Sequence, residues 1–175
     1  MFRTQQFDEY YVRIATEEDL VSVLEILKTA AKWVQSKGVN QWGYLLSGGE
    51  DDEIKDDLLA GKTYIIQSKD GDPVATFNFS NEQNEWDIEM WGKREDRAFY
   101  IHRLAVSQVH HHKQVGKRLL KWIDENIVLD EGYIRLDCVG NNSVLNLIYQ
   151  DAGFEHVGYV GEGEDKFSLY EKWLG

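Results

Sequence analysis

The stretch YIHRLAVSQVHHHKQVGKRLLKWI, Tyr100–Ile123, contains an apolar strand, a turn with three consecutive histidines and the start of a basic helix. The N–H groups in the first turn of a helix have no intrahelical acceptor and carry partial positive charge. A strand that leads through a turn into a helix is therefore a frequent anion site. Lys113, Lys117 and Arg118 add positive charge to an otherwise acidic chain. The stretch thus predicts a pyrophosphate site, with a merely solvated helix end as the alternative.

The three histidines of this stretch, His110, His111 and His112, make up most of the five histidines in the chain. Adjacent residues on a regular element cannot all point at one ion, and zinc ligands are usually spaced, for example at i and i+4. No partner with such spacing lies nearby in the sequence. We therefore predict no metal site.

The composition indicates one globular domain over residues 1–175, because 42% of the 175 residues are apolar and no Gly/Ser-rich linker or repeat interrupts them. The net charge of −12 argues against nonspecific nucleic-acid binding and against docking on an anionic membrane, and it leaves room for a cationic substrate. The single cysteine, Cys138, and the absence of a signal-like apolar run predict a cytoplasmic protein without a membrane span. The sequence leaves a homodimer open.

The periodicity predicts an α/β fold with a mixed central sheet of about seven strands in the order β-αα-β-β-β-α-β-α-β-β and helices on both faces. An apolar stripe from Leu20 to Val34 predicts the first helix, and an acidic helix follows at about Asp51–Ala60. Two strand-like runs around Asp70-Gly71 predict an antiparallel hairpin. Strand–helix alternation in the second half predicts right-handed crossovers and locally parallel pairing.

Two motifs in the second half resemble those of the GNAT superfamily of acyl-CoA-dependent N-acyltransferases, and the order of elements matches over nearly the whole chain. The first family motif is a strand ending LAV, then Arg/Gln-x-x-Gly-x-Gly/Ala and a helix with paired leucines; here LAV is Leu104–Val106 and the helix begins GKRLL. His111 stands at the Arg/Gln position, Gln114 at the first glycine and Gly116 at the second. The second motif, Asn-x(6)-Tyr-x(3)-Gly-Phe, is present as Asn142, Tyr149, Gly153 and Phe154.

The resemblance implies that acetyl-CoA is the acyl donor and that no metal is required. The implied CoA-binding residues comprise the strand end, the turn, the first residues of the helix and the second motif's asparagine: Leu104, Ala105, Val106, His111, His112, Lys113, Gln114, Val115, Gly116, Lys117 and Asn142. The sequence departs from the family pattern at His112 and Gln114, where glycine is usual and lets the backbone approach the pyrophosphate closely. Backbone N–H donors persist whatever the side chain, and a protonated His111 is a further phosphate donor.

The resemblance also implies direct attack of an amine on the thioester. Tyr149 matches the tyrosine near the thioester sulfur and is the predicted general acid. Many relatives place a glutamate base on the strand that here offers Tyr100 and His102, and His102 is the predicted base. On the next strand, Asp137 is a candidate to orient a cationic amine, while Cys138 as an acyl-carrying nucleophile requires an activating base.

Trp42, Trp86 and Trp91 are expected to wall the acceptor pocket, from the first two helices and the loop before the His102 strand. For Trp42, together with Trp33, the alternative is packing at the edge of the core. The sequence thus predicts an acetyl-CoA-dependent N-acetyltransferase that acts on a primary amine of a small, cationic substrate. The alternative is a non-catalytic acyl-CoA-binding or regulatory domain, left after loss of the glycines.

Overall fold

The computed structural model describes residues 1–175 and contains an eight-stranded mixed sheet. The strands are β1 (Gln6–Phe7), β2 (Tyr10–Ile14), β3 (Thr63–Gln67), β4 (Pro73–Ser80), β5 (Ala98–Val106), β6 (Gly132–Val139), β7 (Glu155–Val160) and β8 (Phe167–Leu174). The α-helices are α1 (Leu20–Ser36), α2 (Gly43–Leu46), α3 (Asp51–Leu59), α4 (Glu85–Trp91), α5 (Val115–Asn126) and α6 (Ser143–Asp151). No helix is both long enough and apolar enough to span a bilayer.

The chain divides into two compact units, and the first comprises residues 1–78 and 103–128. In this unit β1, β2, β3 and β4 follow one another as antiparallel neighbours. Ile65 of β3 belongs to a buried cluster with the apolar faces of α1 and α3. Tyr64, the preceding residue, points to the opposite face, where its ring contacts Phe2 and Phe2 contacts Trp122 of α5. Helices therefore cover both faces of β3, as the sequence predicts.

The second unit comprises residues 79–102 and 129–175, and its strand order is β5-β6-β8-β7. β6 and β8 pair antiparallel along their whole length, from Gly132↔Leu174 to Val139↔Phe167. The parallel ladder between β5 and β6 covers three residue pairs, Ala98↔Tyr133 to Tyr100↔Arg135. β5 has nine residues and β6 has eight, so the three pairs involve fewer than half of the residues of each strand.

Both faces of the sheet in the second unit are also covered. On one face Met90 and Trp91 of α4 pack against Tyr100 and Leu169. On the other face Tyr149 of α6 contacts the ring of Tyr170, the residue that follows Leu169 on β8. The predicted mixed α/β sheet with helices on both faces is thus confirmed within each unit.

The structure contains three strands or α-helices that the sequence does not predict, the strand β1 and the helices α2 and α4. It has eight strands because β1 is a two-residue strand, too short to show alternation. The segment that the sequence predicts to be a loop before β5 contains α4, which begins with a reciprocal capping box between Asn84 and Asp87. This pair, three residues apart before Met90 and Trp91, is the one sequence signal that indicates the helix.

Candidate active site

The predicted anion site lies in the first unit, at the end of β5. A 3₁₀ helix, Gln108–Lys113, carries the three histidines, and α5 begins only afterwards, at Val115. The N–H groups of Val115 to Lys117 have no intrahelical acceptor, while the N–H of Arg118 donates to Gln114 O at 3.1 Å. The main chain therefore offers a row of donors at the position that the first motif predicts for a pyrophosphate.

Gln114 joins the 3₁₀ helix to α5 in a left-handed conformation, with φ 53° and ψ 34°. L-residues pay roughly 1 kcal/mol for this conformation, which glycine adopts freely. At the position of the motif's first glycine, the backbone therefore has a conformation that favours glycine, although the residue here is Gln114.

Replacing Gln114 by glycine removes this conformational cost and adds chain entropy to the unfolded state, up to about 1 kcal/mol. The two effects offset each other, so the free energy of unfolding should change by less than about 0.5 kcal/mol, with CoA affinity equal or tighter. Chemical denaturation and calorimetry with CoA measure both. Gln108→Gly is the matched control: its φ is not positive, so only the entropic loss is expected. A large loss of CoA affinity in Gln114→Gly would show that the glutamine side chain binds the ligand.

The histidines and the basic residues of this turn have different surroundings. His110 packs edge-on against Tyr10, and burial lowers the pKa of its imidazole. The ring of His111 lies 4.2 Å from that of Trp33, and His112 in turn contacts His111. No group of three or more His, Cys, Asp or Glu side chains is placed to hold a metal ion.

Arg118 does not add free positive charge to the turn, contrary to the sequence-based expectation. Its guanidinium binds Asp8 and Glu9 at 2.7 Å each. Lys113 and Lys117 are exposed beside the main-chain donors. The positive charge available to an anion at this turn therefore comes from these two lysines and from the helix end.

In the second unit, His102 of β5 lies beside one carboxylate and interacts with the charge of a second. Its Nε2 is 2.9 Å from Oδ1 of Asp87, a residue of α4. Asp137 of β6 interacts with His102 through its charge and accepts hydrogen bonds from Trp86 Nε1 at 3.2 Å to both oxygens. Burial raises the pKa of the Asp137 carboxyl, while His102 and the Trp86 N–H act in the opposite direction. The cluster joins a potential base to acidic and aromatic groups.

Tyr149 of α6 is buried, and its ring contacts Phe154 and Tyr170. Burial raises the pKa of its hydroxyl, and interactions with Cys138 and Asp137 add to the shift. The hydroxyl therefore remains protonated at neutral pH, which suits a proton donor. Asp137 thus interacts with both predicted catalytic residues, His102 and Tyr149.

Cys138 is fully buried, and burial raises the pKa of its thiol to about 12. Only the thiolate is a nucleophile, so this cysteine lacks the activation that an acyl-carrying role requires. Tyr100, the other base candidate on β5, accepts a hydrogen bond from Arg135 Nη1 at 3.1 Å, and burial raises the pKa of its hydroxyl. Both groups also interact with carboxylate charges, Tyr100 with Asp87 and Asp96 and Cys138 with Asp137, but neither has the ion-pair contact that His102 makes with Asp87.

The remaining predicted residues also have structural roles. The side chain of Asn142 caps α6 by accepting a hydrogen bond from Leu145 N at 3.2 Å. Trp42 packs against the α1–α3 cluster of the first unit. In the second unit Trp91 stacks over the Arg135 guanidinium, with 5.2 Å between the guanidinium carbon and the ring centroid. Of the three tryptophans proposed for the acceptor pocket, Trp86 is the one bonded to a predicted site residue.

Comparisons with known proteins identify the family. A sequence profile described as the acetyltransferase (GNAT) family matches residues 40–154. A Bacillus subtilis (strain 168) protein, named an uncharacterized N-acetyltransferase, YesJ, is 32% identical over 167 residues, which cover 94% of this chain and 91% of that protein. The chain belongs to the acetyltransferase (GNAT) family. Its reaction class is therefore acyl transfer, and it is an acetyltransferase enzyme.

Solved structures of GNAT proteins share the fold. An acetyltransferase of the GNAT family from Listeria monocytogenes 4b F2365 has a TM-score of 0.76 at 26% identity, with 99% of this chain and 100% of that chain covered. The PaiA N-acetyltransferase from Thermoplasma acidophilum, solved in complex with coenzyme A, has a TM-score of 0.70 at 18% identity, with 94% and 99% covered. These likenesses support the GNAT fold along nearly the whole chain.

Proposed function

We propose that this GNAT enzyme transfers an acetyl group from acetyl-CoA to a primary amine of a small, cationic substrate by direct attack. The observation that carries the proposal is the cluster in the second unit, where His102 lies 2.9 Å from Asp87 and interacts with the charge of Asp137, which also interacts with Tyr149. A proton acceptor for the amine and a protonated hydroxyl for the departing thiolate are two of the groups that aminolysis of a thioester uses, and a carboxylate charge would attract a cationic amine.

The turn after β5 supplies the proposed CoA site. Main-chain N–H groups at the start of α5 bind the pyrophosphate, with the exposed Lys113 and Lys117 adjacent and His111 and His112 on the preceding 3₁₀ helix. Leu104, Ala105 and Val106 offer main-chain groups to the pantetheine arm. This assignment is supported by a GNAT protein of the same fold that was solved with coenzyme A.

In the proposed reaction, His102 takes a proton from the substrate ammonium, directly or through water, and the neutral amine attacks the thioester carbonyl carbon. The new C–N bond gives a tetrahedral oxyanion. Its collapse breaks the C–S bond, and the Tyr149 hydroxyl protonates or hydrogen-bonds the departing thiolate. The amine nitrogen still carries a second proton after the attack, and it releases this proton on collapse, which replaces the one that the thiolate takes from Tyr149. The acetylated amine and CoA leave, and the first proton, on His102, returns to the solvent.

The preference for a cationic acceptor rests on charge and on one aromatic side chain. Asp87 and Asp137 bring two carboxylates to His102, and Trp86 presents its indole next to Asp137. Carboxylates and aromatic faces both attract ammonium groups. The net charge of −12 favours the approach of a cation over that of an anion.

The test is calorimetry with CoA and acetyl-CoA, followed by thiol release from acetyl-CoA across a panel of diamines, amino sugars, amino acids and neutral amines. Binding of both nucleotides and thiol release with amines that carry a second positive charge are the expected results. Binding without thiol release for any amine would favour the non-catalytic alternative. Release only with anionic or neutral acceptors would contradict the cationic substrate.

A second test addresses the location of the CoA site. A Cβ on Gly116 would lie 3.6 Å from Leu104 Cδ2 and 3.7 Å from Val106 Cγ2, which is ordinary contact. Gly116→Ala should therefore bind CoA within about threefold of the parent. In Gly116→Val, two further methyl groups force the start of α5 away from β5, with an overpacking cost of about 1–3 kcal/mol. Calorimetry should show CoA binding at least tenfold weaker; parental affinity would place the pyrophosphate elsewhere.

A further inference from the structure

The side chain of Asp87 is almost completely buried, at 1% exposure, whereas that of His102 retains 18%. Oδ1 of Asp87 and Nε2 of His102 lie 2.9 Å apart, at ion-pair distance, but the contact does not have the geometry of a hydrogen bond, and Oδ1 accepts no hydrogen bond from any other group. In free enzymes, catalytic hydrogen bonds are often poorly aligned, and they become well aligned when the substrate binds. A buried carboxylate oxygen without another donor is stabilised when the imidazole keeps its proton on the nitrogen that faces it.

The start of α4 fixes the orientation of this carboxylate. Asp87 N donates to Asn84 Oδ1 at 2.8 Å, and Asp87 Oδ2 accepts from Asn84 N at 3.1 Å. One carboxylate oxygen therefore belongs to the capping box, and the other is directed to the imidazole. Met90 and Trp91 hold the far end of α4 in the buried cluster of the second unit.

Charged and titratable groups reach His102 from two packed elements, Asp87 from α4 and Asp137 from β6. On β5 itself, Tyr100 is bound by Arg135, and the guanidinium of Arg103 is bound by Asp57 at 2.8 Å. Both carboxylate oxygens of Asp137 accept a hydrogen bond from the N–H of Trp86, and the carboxylate acts on the imidazole of His102 through its charge. The two carboxylates thus have separable effects on His102.

We propose that Asp87 is a positioning residue for the catalytic base: its carboxylate holds the imidazole of His102 with the proton on Nε2, so that Nδ1 carries the lone pair that receives the substrate proton. This inference rests on the proposed role of His102 as base. Nothing in the family comparison assigns a function to Asp87. In this arrangement the capping box with Asn84 orients the carboxylate of Asp87, and that carboxylate selects the tautomer of the His102 imidazole.

The test is NMR of protein with ¹⁵N-labelled histidine, which reports the tautomer and the titration midpoint of His102 without any need for activity. Above the midpoint, the parent should carry the proton on Nε2. In Asp87→Asn the amide oxygen still serves the capping box, and the amide N–H faces the imidazole and donates to Nε2. The tautomer should therefore switch to Nδ1–H, and the midpoint should fall by about one pH unit because the imidazolium loses its carboxylate.

Asp137→Asn is the control, since it removes the more distant charge; it should lower the midpoint and leave the proton on Nε2. A parent with the proton on Nδ1 overturns the proposal even if Asp87→Asn does not fold. A tautomer that switches in Asp137→Asn alone overturns it as well. In kinetic assays, Asp87→Asn should lower kcat/KM about 10²-fold with unchanged CoA affinity. NMR results as expected in a protein without transferase activity would refute the proposed function and leave the Asp87–His102 pairing intact.

Discussion

Replacing Tyr149 by phenylalanine should lower kcat for acetyl transfer by about 10²-fold while the affinity for CoA stays the same. The raised pKa keeps the buried hydroxyl protonated at working pH, so its contribution appears when the thiolate departs. General acid catalysis contributes on the order of 10²–10⁴, and water can replace part of it. The phenylalanine ring retains the packing against Phe154 and Tyr170. Turnover, CoA affinity and melting temperature should be measured on one preparation.

Tyr170→Phe is the matched control, because Tyr170 contacts the Tyr149 ring and lies on the same face of the sheet. Its hydroxyl donates to Asn146 Oδ1 at 2.5 Å and accepts from Gln150 Nε2 at 3.2 Å, so its loss should cost about 1 kcal/mol of stability with little effect on turnover. If Tyr149→Phe shows this same pattern, with lower stability and parental turnover, Tyr149 packs the core and is not the general acid.

Arg135→Met should lower the free energy of unfolding by about 3 kcal/mol, the largest stability effect that we expect. The guanidinium is 1% exposed and binds both oxygens of Asp96, Oε2 of Glu171 and the hydroxyl of Tyr100. Its removal leaves two carboxylates without their cation, and breaking a buried pair costs about 3–5 kcal/mol. Because Asp96 and Glu171 are partly exposed, we expect the loss of unfolding free energy to lie at the low end of this range. Urea denaturation followed by tryptophan fluorescence measures it.

The control is Arg118→Met, because Arg118 also pairs with two carboxylates, Asp8 and Glu9, but those are more than half exposed. Exposed pairs contribute about 0–1 kcal/mol, so this variant should remain close to the parent. Equal losses in the two variants would contradict the claim that the ion pairs of Arg135 stabilise the protein because they are buried.

Local patterns in the sequence were sufficient to predict most of the fold. The apolar stripe of α1, the β3–β4 hairpin around Asp70-Gly71 and the strand–turn–helix at β5 each depend on residues close in sequence, where periodicity and turn chemistry are informative. The motif spacing also predicts Tyr149 as the general acid, and this stays a prediction. The short strand β1 and the seven-residue helix α4 carry too few residues for a periodic signal.

The electrostatic partners could not be predicted, because they are distant in sequence. His102 could be singled out on its strand, but Asp87 is fifteen residues earlier and reaches it only through the placement of α4. Arg135 interrupts an apolar strand, and its partners, Asp96 and Glu171, come from segments on either side in sequence. For Gln114, the missing glycine was visible in the sequence, whereas its left-handed backbone required the structure.

The most direct test of the account is the initial rate of thiol release from acetyl-CoA, measured over a grid of acetyl-CoA and amine concentrations with the best amine of the panel. Direct attack requires both substrates on the enzyme at once, so double-reciprocal plots should give intersecting lines, and acetylated amine should form in equal amount to free CoA thiol. Parallel lines would indicate an acyl-enzyme and contradict direct transfer. Thiol release that does not depend on any amine would contradict the N-acetyltransferase activity itself.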